Sequence, residues 1–436
     1  MNYEEAVRFL YSLGNEVKAA KLGLDRMSAL LEALGQPHRA GSFVHVAGTN
    51  GKGSTCAMIE SGLRAAGVRT GLYTSPHLAE PTERIAIAGQ PVSREAFAAA
   101  FDQVHEAAER LIAAGALDAH PTYFETVTAM AFLAFREAGV ETTVLEVGLG
   151  GRLDATNVVQ PRLAVITPVD FDHEAFLGRG LAAIAEEKAG ILKRGAPAVI
   201  AAQRPEAAQT LAAAAAALGI EPIWTSDWRV TDLALYPGGS CFRLTGPREY
   251  RVDCPLAGEH QVANAVTAVV ALDRLGLAAE AIREGLRQAR WPGRLERVAT
   301  APDIVLDGAH NPSGARALAA YINRFFEERR VWLIYGAMRD KAVEEMGAIL
   351  FPLADQVIAT APRMARALRP QTIRDLTDHP HLRTTENVEE ALALARREAS
   401  PDDVIFVAGS LFLIAEARRA LLSANPRPLR DTPRPG

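Results

Sequence analysis

The residues with the plainest chemical potential lie in VAGTNGKGSTC, residues 46–56. Gly48, Gly51 and Gly53 permit backbone conformations that aim several N–H groups inward, as an anion requires. Lys52 adds a mobile cation between two of these glycines, and Ser54 or Thr55 offers a hydroxyl to phosphate or magnesium. The common phosphate-loop pattern would need Gly at 46 and Ser or Thr at 53, where Val46 and Gly53 stand. The run therefore reads as a shorter G-T-N-G-K-G-S form of that loop.

A second group is LEVGLGGRLDATN, residues 145–157. Glu146 sits in an apolar run, where an unpaired carboxylate would be costly. Two readings fit it: a magnesium ligand, directly or through water, or the partner of a structural arginine such as Arg152. The glycines do not complete a dinucleotide fingerprint, because G-x-G-x-x-G would need Gly at 153 and Leu153 is there. PVDFDHEAFLG (168–178) gathers Asp170, Asp172, His173 and Glu174. His173 could bind a metal through neutral imidazole or serve structure alone. AEEKAGILK (185–193) reads, on its residues, as a solvated helix face. Further on, WPGRLE places Arg294 at a helix-breaking Pro-Gly, and VLDGAHNPSG places Asp307 and His310 just past an apolar run. GEHQVANA puts His260, Gln261 and Asn264 at the start of a helix. Nucleotide clamping and ordinary capping or ion pairing both fit these last residues.

The elements that must carry these groups are legible as periodicity. SFVHVAG, TTVLEVG, LAVITPV and APAVIAAQ are short apolar runs, each followed by a polar or glycine-rich segment. Met58, Ile59, Leu63 and Ala66 recur at helical spacing after the glycine loop, and Gly67 closes that helix. Strands separated by helices predict an α/β fold with a largely parallel sheet, whose ligands collect at the carboxyl ends of the strands. A second strand-helix series begins near 303 with DIVLDGAHNPSGARAL, VWLIYGAMRDKA, ADQVIATAPR and DDVIFVAGSLFLIAEA. Pro292 and Gly293 predict a boundary there, giving domains over 1–293 and 294–424. The proline-rich stretch 425–436 predicts a disordered tail.

Bulk properties exclude several classes. The 436 residues carry 47 basic and 52 acidic side chains, a net charge of −5, unlike a dedicated nucleic-acid binder. No apolar run is long enough to span a bilayer, and MNYEEAVRFL is acidic and amphipathic, unlike a leader peptide. Three widely spaced cysteines fit neither a disulfide framework nor a zinc spacing. A cytoplasmic protein is expected.

Taken in order, HVAGTNGKGST, TSPHL, ERIAIAG, YFE, LEVGLGGRLDATN, DHEAFLG, EEKAGILK, GEHQVANA, WPGRLE, DGAHNP and VAGSLFL resemble the folylpolyglutamate synthase and dihydrofolate synthase family of the Mur ligase superfamily. The matching stretches run from about residue 45 to 414. The resemblance implies an N-terminal P-loop ATPase domain like the Mur ligase central domain, and a smaller C-terminal Rossmann-like α/β domain. It implies ATP contacts at Gly48, Thr49, Asn50, Gly51, Lys52, Gly53, Ser54, Asn264, Arg294, Asp307 and His310. Two magnesium sites follow from it, with Ser75 and Glu146 at the first and His173 beside Glu146 at the second. Lys188 matches a lysine that is typically carbamylated, which would make it an anionic metal ligand and overturn the solvated reading of its helix. Lys52, His173 and Lys188 are the implied catalytic residues. Pro76, His77, Arg84, Phe124, Arg152 and Asp154 fall in the segments beside the family's pterin or folate site.

The implied reaction adds L-glutamate to dihydropteroate, to reduced folates, or to both, through an acyl phosphate, in a monomer with no nucleic-acid or membrane partner. Folylpolyglutamate synthesis alone is the nearer alternative. A peptidoglycan-type Mur ligase would ordinarily carry a UDP-binding domain ahead of the loop, and the stretch before residue 46 is short for one. A non-enzymatic nucleotide switch would leave His173 and Lys188 without a role.

Overall fold

The fold is read from a computed structural model, which describes residues 1–14, 23–172, 177–178 and 180–424. The expectations for His173 and for the tail 425–436 lie outside these residues. The chain divides into two compact units: residues 1–231, 243–252 and 263–289 form the first, and the remainder the second.

The first unit is built on an eight-stranded sheet among the described residues. Its strands are β1 (Ser42–Ala47), β2 (Thr70–Tyr73), β3 (Ile85–Ile87), β4 (Gln90–Pro91), β5 (Thr142–Glu146), β6 (Leu163–Ile166), β7 (Ala198–Ile200) and β8 (Ile223–Trp224). They lie in the order β4-β3-β2-β5-β1-β6-β7-β8. The six from β2 to β8 run parallel, and β3 and β4 add an antiparallel edge. The central strands are buried along nearly their whole length. That explains why they read in sequence as continuous apolar runs without alternation.

Helices cover the sheet: α1 (Tyr3–Ser12), α2 (Asp25–Ala33), α3 (Lys52–Ala65), α4 (Arg94–Ala113), α5 (Tyr123–Glu137), α6 (Leu181–Ala189), α7 (Pro205–Ala217), α8 (His260–Arg274) and α9 (Ala279–Gln288). Several announce their own starts. Asn2 and Thr122 each form a reciprocal capping box with a Glu three residues on, and Ser93 caps α4 through the Ala96 N–H. Aromatic residues Phe97, Phe101, Tyr73 and Phe132 fill the core between α4, α5 and the sheet.

The sheet order sets where a ligand can sit. The chain leaves β1 for β2 on one side and later returns to lay β6 on the other, with β5 inserted between β1 and β2. In register, Val46 stands beside Glu146, and Ala47 beside Ile166. The carboxyl ends of β1, β5 and β6 therefore open together at a topological switch point.

A three-stranded sheet follows, with β9 (Arg229–Tyr236), β10 (Gly239–Thr245) and β11 (Glu249–Cys254) in the order β11-β10-β9. The second unit contains a six-stranded sheet of β12 (Glu296–Ala299), β13 (Asp303–Leu306), β14 (Val331–Tyr335), β15 (Gln356–Ala359), β16 (Leu382–Thr384) and β17 (Val404–Ala408). Its order is β12-β13-β17-β14-β15-β16, parallel except for β12. Trp332, Tyr335 and Phe406 lie within its core.

The helix that follows the glycine loop is held from behind by an unusually close approach. A Cβ placed on Gly285 of α9 would lie 2.3 Å from the Gly62 Cα of α3, and one on Gly62 would lie 2.3 Å from Leu272 Cδ1. Backbone meets backbone there, so a side chain has nowhere to move. Gly285→Val should destabilise the protein by about 1–3 kcal/mol or more, through overpacking. Urea unfolding followed by circular dichroism measures it, and an unchanged midpoint would contradict this account of the α3–α9 contact.

Candidate active site

The glycine loop has the backbone its spacing suggests. Gly48 has φ +150 and Gly51 φ +80, both in the region that side chains disfavour. Space forbids substitution as well. A Cβ on Gly48 would meet Thr167 Oγ1 at 1.8 Å, and one on Gly51 would meet Asn264 Oδ1 at 2.1 Å. Neighbouring elements thus pack directly against loop backbone. The N–H groups of Thr49 and Asn50 donate to the Pro168 carbonyl at 3.0 and 3.3 Å. Thr49 Oγ1 donates to the Asp170 carbonyl and accepts from the Asp170 N–H, each at 3.0 Å. The segment after β6 therefore clamps the loop from one side.

Gly51 is the residue before α3, whose first turn begins at Lys52 and contains the buried Ser54. That turn presents N–H groups that have no acceptor within the helix, and a positive helix end, beside the loop. Lys52 Nζ folds back to donate to the Gly48 and Thr49 carbonyls at 3.1 and 3.2 Å. Glu146 ends β5 with only 4% of its surface exposed, and its Oε2 accepts the Ser75 N–H at 3.0 Å. A buried, oriented carboxylate is an oxygen donor suited to a hard cation such as magnesium.

Lys188 of α6 changes the reading of its helix. Its residues alone suggested a solvated face, yet Lys188 is 4% exposed, and Ile184, Ala185 and Ala189 are buried with it. Its Nζ donates to the Gly48 carbonyl at 2.9 Å. Burial, then the nearby Lys52 cation, lower its pKa from the usual 10.5 to about 7, against partial relief from Asp172, Asp154 and Glu187. The face that carries Lys188 is covered where a solvated one was expected, because the loop of residues 148–157 lies on it, while Glu186 stays exposed. A Cβ on Gly151 would meet the Glu187 carbonyl at 2.7 Å, and one on Gly190 would meet Arg152 Cα at 2.4 Å.

Arg152 is bonded to Glu187, at 2.7 Å, and not to Glu146 as one sequence reading allowed. Its side chain is 57% exposed. Asp154 is buried and accepts from the N–H groups of Gly148, Leu149 and Thr156, each at 3.0 Å, and from Thr156 Oγ1. Thr156 in turn bonds the buried His45 of β1 at 2.8 Å. Burial raises the Asp154 pKa and lowers that of His45 to about 3, so His45 is a neutral imidazole at pH 7. This chain of bonds anchors the loop to the underside of the sheet; nothing in the residue pattern announced His45 as a part of it.

His77, Arg84 and Phe124 occupy a neighbouring region. The His77 ring accepts Arg84 Nε–H at Nδ1, at 2.9 Å, and lies 3.3 Å from the Tyr11 hydroxyl at Nε2. The Arg84 guanidinium lies 4.9 Å from the centre of the Tyr123 ring, against which Tyr11 stacks. Burial and the Arg84 charge lower the His77 pKa to about 3. Pro76 is exposed next to it, and Phe124 packs so closely on Gly148 that a Cβ there would lie 2.6 Å from the ring. Tyr11 and Tyr123 were missed by sequence reasoning, since a lone tyrosine on an amphipathic helix looks like core. Glu83 was missed too: its carboxylate accepts the N–H groups of Leu78, Ala79 and Glu80 and so shapes the segment after Pro76.

The second unit gathers its own group at the carboxyl end of β13. Asp307 accepts from the N–H groups of Leu295 and Ala309, each at 3.0 Å. His310 Nδ1 lies 2.8 Å from the Gly308 carbonyl, and a Cβ on Gly308 would meet the Arg294 guanidinium at 2.2 Å. Arg294, Asp307 and His310 are thus neighbours, while Asn264 stands on Gly51 in the first unit.

Comparison with known proteins matches the Mur ligase middle domain to residues 46–272 and the Mur ligase glutamate ligase domain to residues 293–411. The chain is 39% identical over 96% of its length to a probable bifunctional folylpolyglutamate synthase/dihydropteroate synthase of Halobacterium salinarum, and it spans 51%, about half, of that relative. It is 35% identical over 96% of its length to the dihydrofolate synthase/folylpolyglutamate synthase of Bacillus subtilis, covering 99% of it. A Mycobacterium tuberculosis folylpolyglutamate synthase, solved complexed with ADP, superposes with TM-score 0.90 at 33% identity, over 98% of this chain and 99% of that one.

The depressed pKa of Lys188 has a measurable consequence. Between pH 7 and 10.5 the folded protein has released a proton that the unfolded chain still holds. Unfolding takes up that proton, so this lysine's contribution to stability rises as pH increases through the window. In metal-free, carbon-dioxide-free buffer, the unfolding free energy of the wild type relative to Lys188→Met should improve from pH 7 to 9.5; a flat difference would show the amine to be solvated.

Proposed function

Because this chain belongs to the folylpolyglutamate synthase and dihydrofolate synthase family of Mur ligases, we propose that it uses ATP to join L-glutamate to dihydropteroate and to reduced folates. The observation that carries this reading is the convergence of Lys52, Glu146 and Lys188 around the loop of residues 48–54, at the ends of β1 and β5 and on α6. The ADP named in the Mycobacterium relative's structure supports a nucleotide here, and the paired name of the Bacillus relative supports both acceptors.

A carboxylate is a poor electrophile, so it is first phosphorylated by ATP. The amine of glutamate then attacks the acyl phosphate, and the amide forms as phosphate leaves. The loop N–H groups and the α3 terminus hold the phosphates, and Lys52 releases its loop carbonyls to offset charge between the substrate carboxylate and the γ-phosphate. Glu146, with the Ser75 backbone orienting it, would hold magnesium together with Ser75 and His173. When bound, magnesium supplies Lewis-acid charge neutralisation at the transferring phosphoryl group. Lys188 is carbamylated in this reading: with a pKa near 7 a large part of its amine is neutral and able to attack carbon dioxide, and the carbamate would join the metal ligands.

In this reading Asn264, on Gly51, is a nucleotide contact of the first unit, and Arg294, Asp307 and His310, at the end of β13, are nucleotide-binding residues of the second. Pro76, His77, Arg84, Phe124, Arg152 and the loop held by Asp154 receive the pterin or folate. The functional division falls near residue 293, with the glutamate-ligating part beyond it, and the enzyme works as a cytoplasmic monomer. Among the described residues no helix is long and apolar enough to cross a membrane.

Glutamate-dependent release of phosphate from ATP should occur with dihydropteroate and with tetrahydrofolate as acceptors. Activity with tetrahydrofolate alone would reduce the protein to a folylpolyglutamate synthase, and activity with neither would refute the proposal. Lys188→Ala should lower kcat at least tenfold, and bicarbonate should raise the rate of the wild type but not of the variant. An unchanged rate in Lys188→Ala would exclude the carbamate.

A further inference from the structure

Outside the site above, one cluster has the composition of a metal centre. His105 and Glu109 lie one helical turn apart on α4, and His120 lies in the connection leading to α5. One ligand atom from each of the three lies within 4.8 Å of the others. Both imidazoles are half-buried, and Glu109 is exposed at the rim.

His105 Nδ1 and His120 Nε2 are 3.3 Å apart. Two nitrogens bound tetrahedrally at 2.0–2.1 Å are separated by about 3.3 Å, so the pair already stands at a ligand-to-ligand chord. The same distance permits a hydrogen bond between the rings, which makes this a pair able to exchange a proton for an ion. His120 is also oriented for the task. Its Nδ1 lies 3.0 Å from the Pro121 carbonyl, an acceptor that fixes the proton on Nδ1 and leaves the Nε2 lone pair facing His105. Packing holds both rings in place. Phe9 of α1 sets its edge against each of them, with centroids at 4.6 and 5.2 Å, and Phe101 stacks on His105 at 5.5 Å. Glu109 brings a carboxylate oxygen within 4.8 Å of a nitrogen of each ring.

We propose that His105, Glu109 and His120 form a binding site for a divalent transition-metal ion, zinc foremost, joining α4 to the segment before α5. Two imidazoles and one carboxylate select zinc, cobalt, nickel or copper over magnesium and calcium, which prefer all-oxygen shells. The site is chemically distinct from the oxygen-rich donor set around Glu146. Occupancy ties together the helix that carries Phe9, the α4 helix and the base of α5, so binding stabilises the folded state by mass action.

The test uses tag-free, chelator-treated protein titrated with zinc chloride against a chromophoric zinc chelator, with thermal unfolding in parallel. Wild type should bind one zinc more than His105→Gln and His120→Gln, and zinc should raise its Tm more than theirs. Glu109→Gln lies at the surface and cannot compromise folding; it should keep the stoichiometry and lose at least fivefold in affinity at that equivalent. Equal stoichiometry and equal zinc-induced Tm shifts in wild type and both histidine variants would overturn the proposal and leave the rings as a hydrogen-bonded stack. Should the histidine variants fail to fold, unaltered affinity in Glu109→Gln would overturn the three-residue site.

Discussion

The carbonyl of Gly48 is the point on which the site turns. Two lysine side chains, Lys52 from α3 and Lys188 from α6, both direct Nζ at it, at 3.1 and 2.9 Å. Their mutual repulsion in a buried place is part of what brings Lys188 down to about 7. Burial penalises any charge kept on Lys188, so its amine is drawn toward the neutral form beside the Lys52 cation. The arrangement is therefore a site already biased toward gaining negative charge, whether from a phosphate at the loop or from conversion of one amine to an anion. Electrostatic preparation of this kind is costly to the empty fold and useful to phosphoryl transfer.

The surrounding structure keeps that bias from relaxing. Thr167 fills the space a side chain on Gly48 would need, Asn264 does the same at Gly51, and Asp170 closes a reciprocal pair of bonds on Thr49. Beneath them, Asp154, Thr156 and His45 fasten the loop of residues 148–157 to β1. The two loops are thus held by different strands of one sheet, and their spacing follows from strand register, not from loop stiffness.

How far this was legible depended on how local each signal is. β1, β5, β6 and β7 were readable because buried parallel strands are continuous apolar runs, and the glycine loop because its glycines lie close together in sequence. β3, β4 and β9 were not, being short or largely exposed strands whose residues do not distinguish edge from loop. The burial of Lys188 could not be inferred from its own helix: the face it lies on is covered by a loop some 30 residues earlier in the chain, anchored through Arg152 and Glu187. Family resemblance supplied Lys188 where residue patterning had dismissed it, and geometry gives the physical reason. Tyr11 and Tyr123 went unnoticed for a similar cause, since a stack between α1 and α5 exists only after the chain has folded.

The insertion of β5 between β1 and β2 bears on how the protein is made. β1 is synthesised early, yet its parallel neighbours are about one hundred residues away, as the pairings of Val46 with Glu146 and of Ala47 with Ile166 record. Pairings of that sequence separation form slowly, because the loop-closure entropy must be met before contacts reward it. A nascent chain that has emerged only through α3 holds every residue of the glycine loop and the Lys52 bonds to it, but none of the restraints that come from later elements. The loop takes its shape only once Thr167, Lys188 and finally Asn264 have left the ribosome. Its assembly is governed by the far end of the first unit, and a nucleotide added during refolding would report on the completion of that unit as a whole.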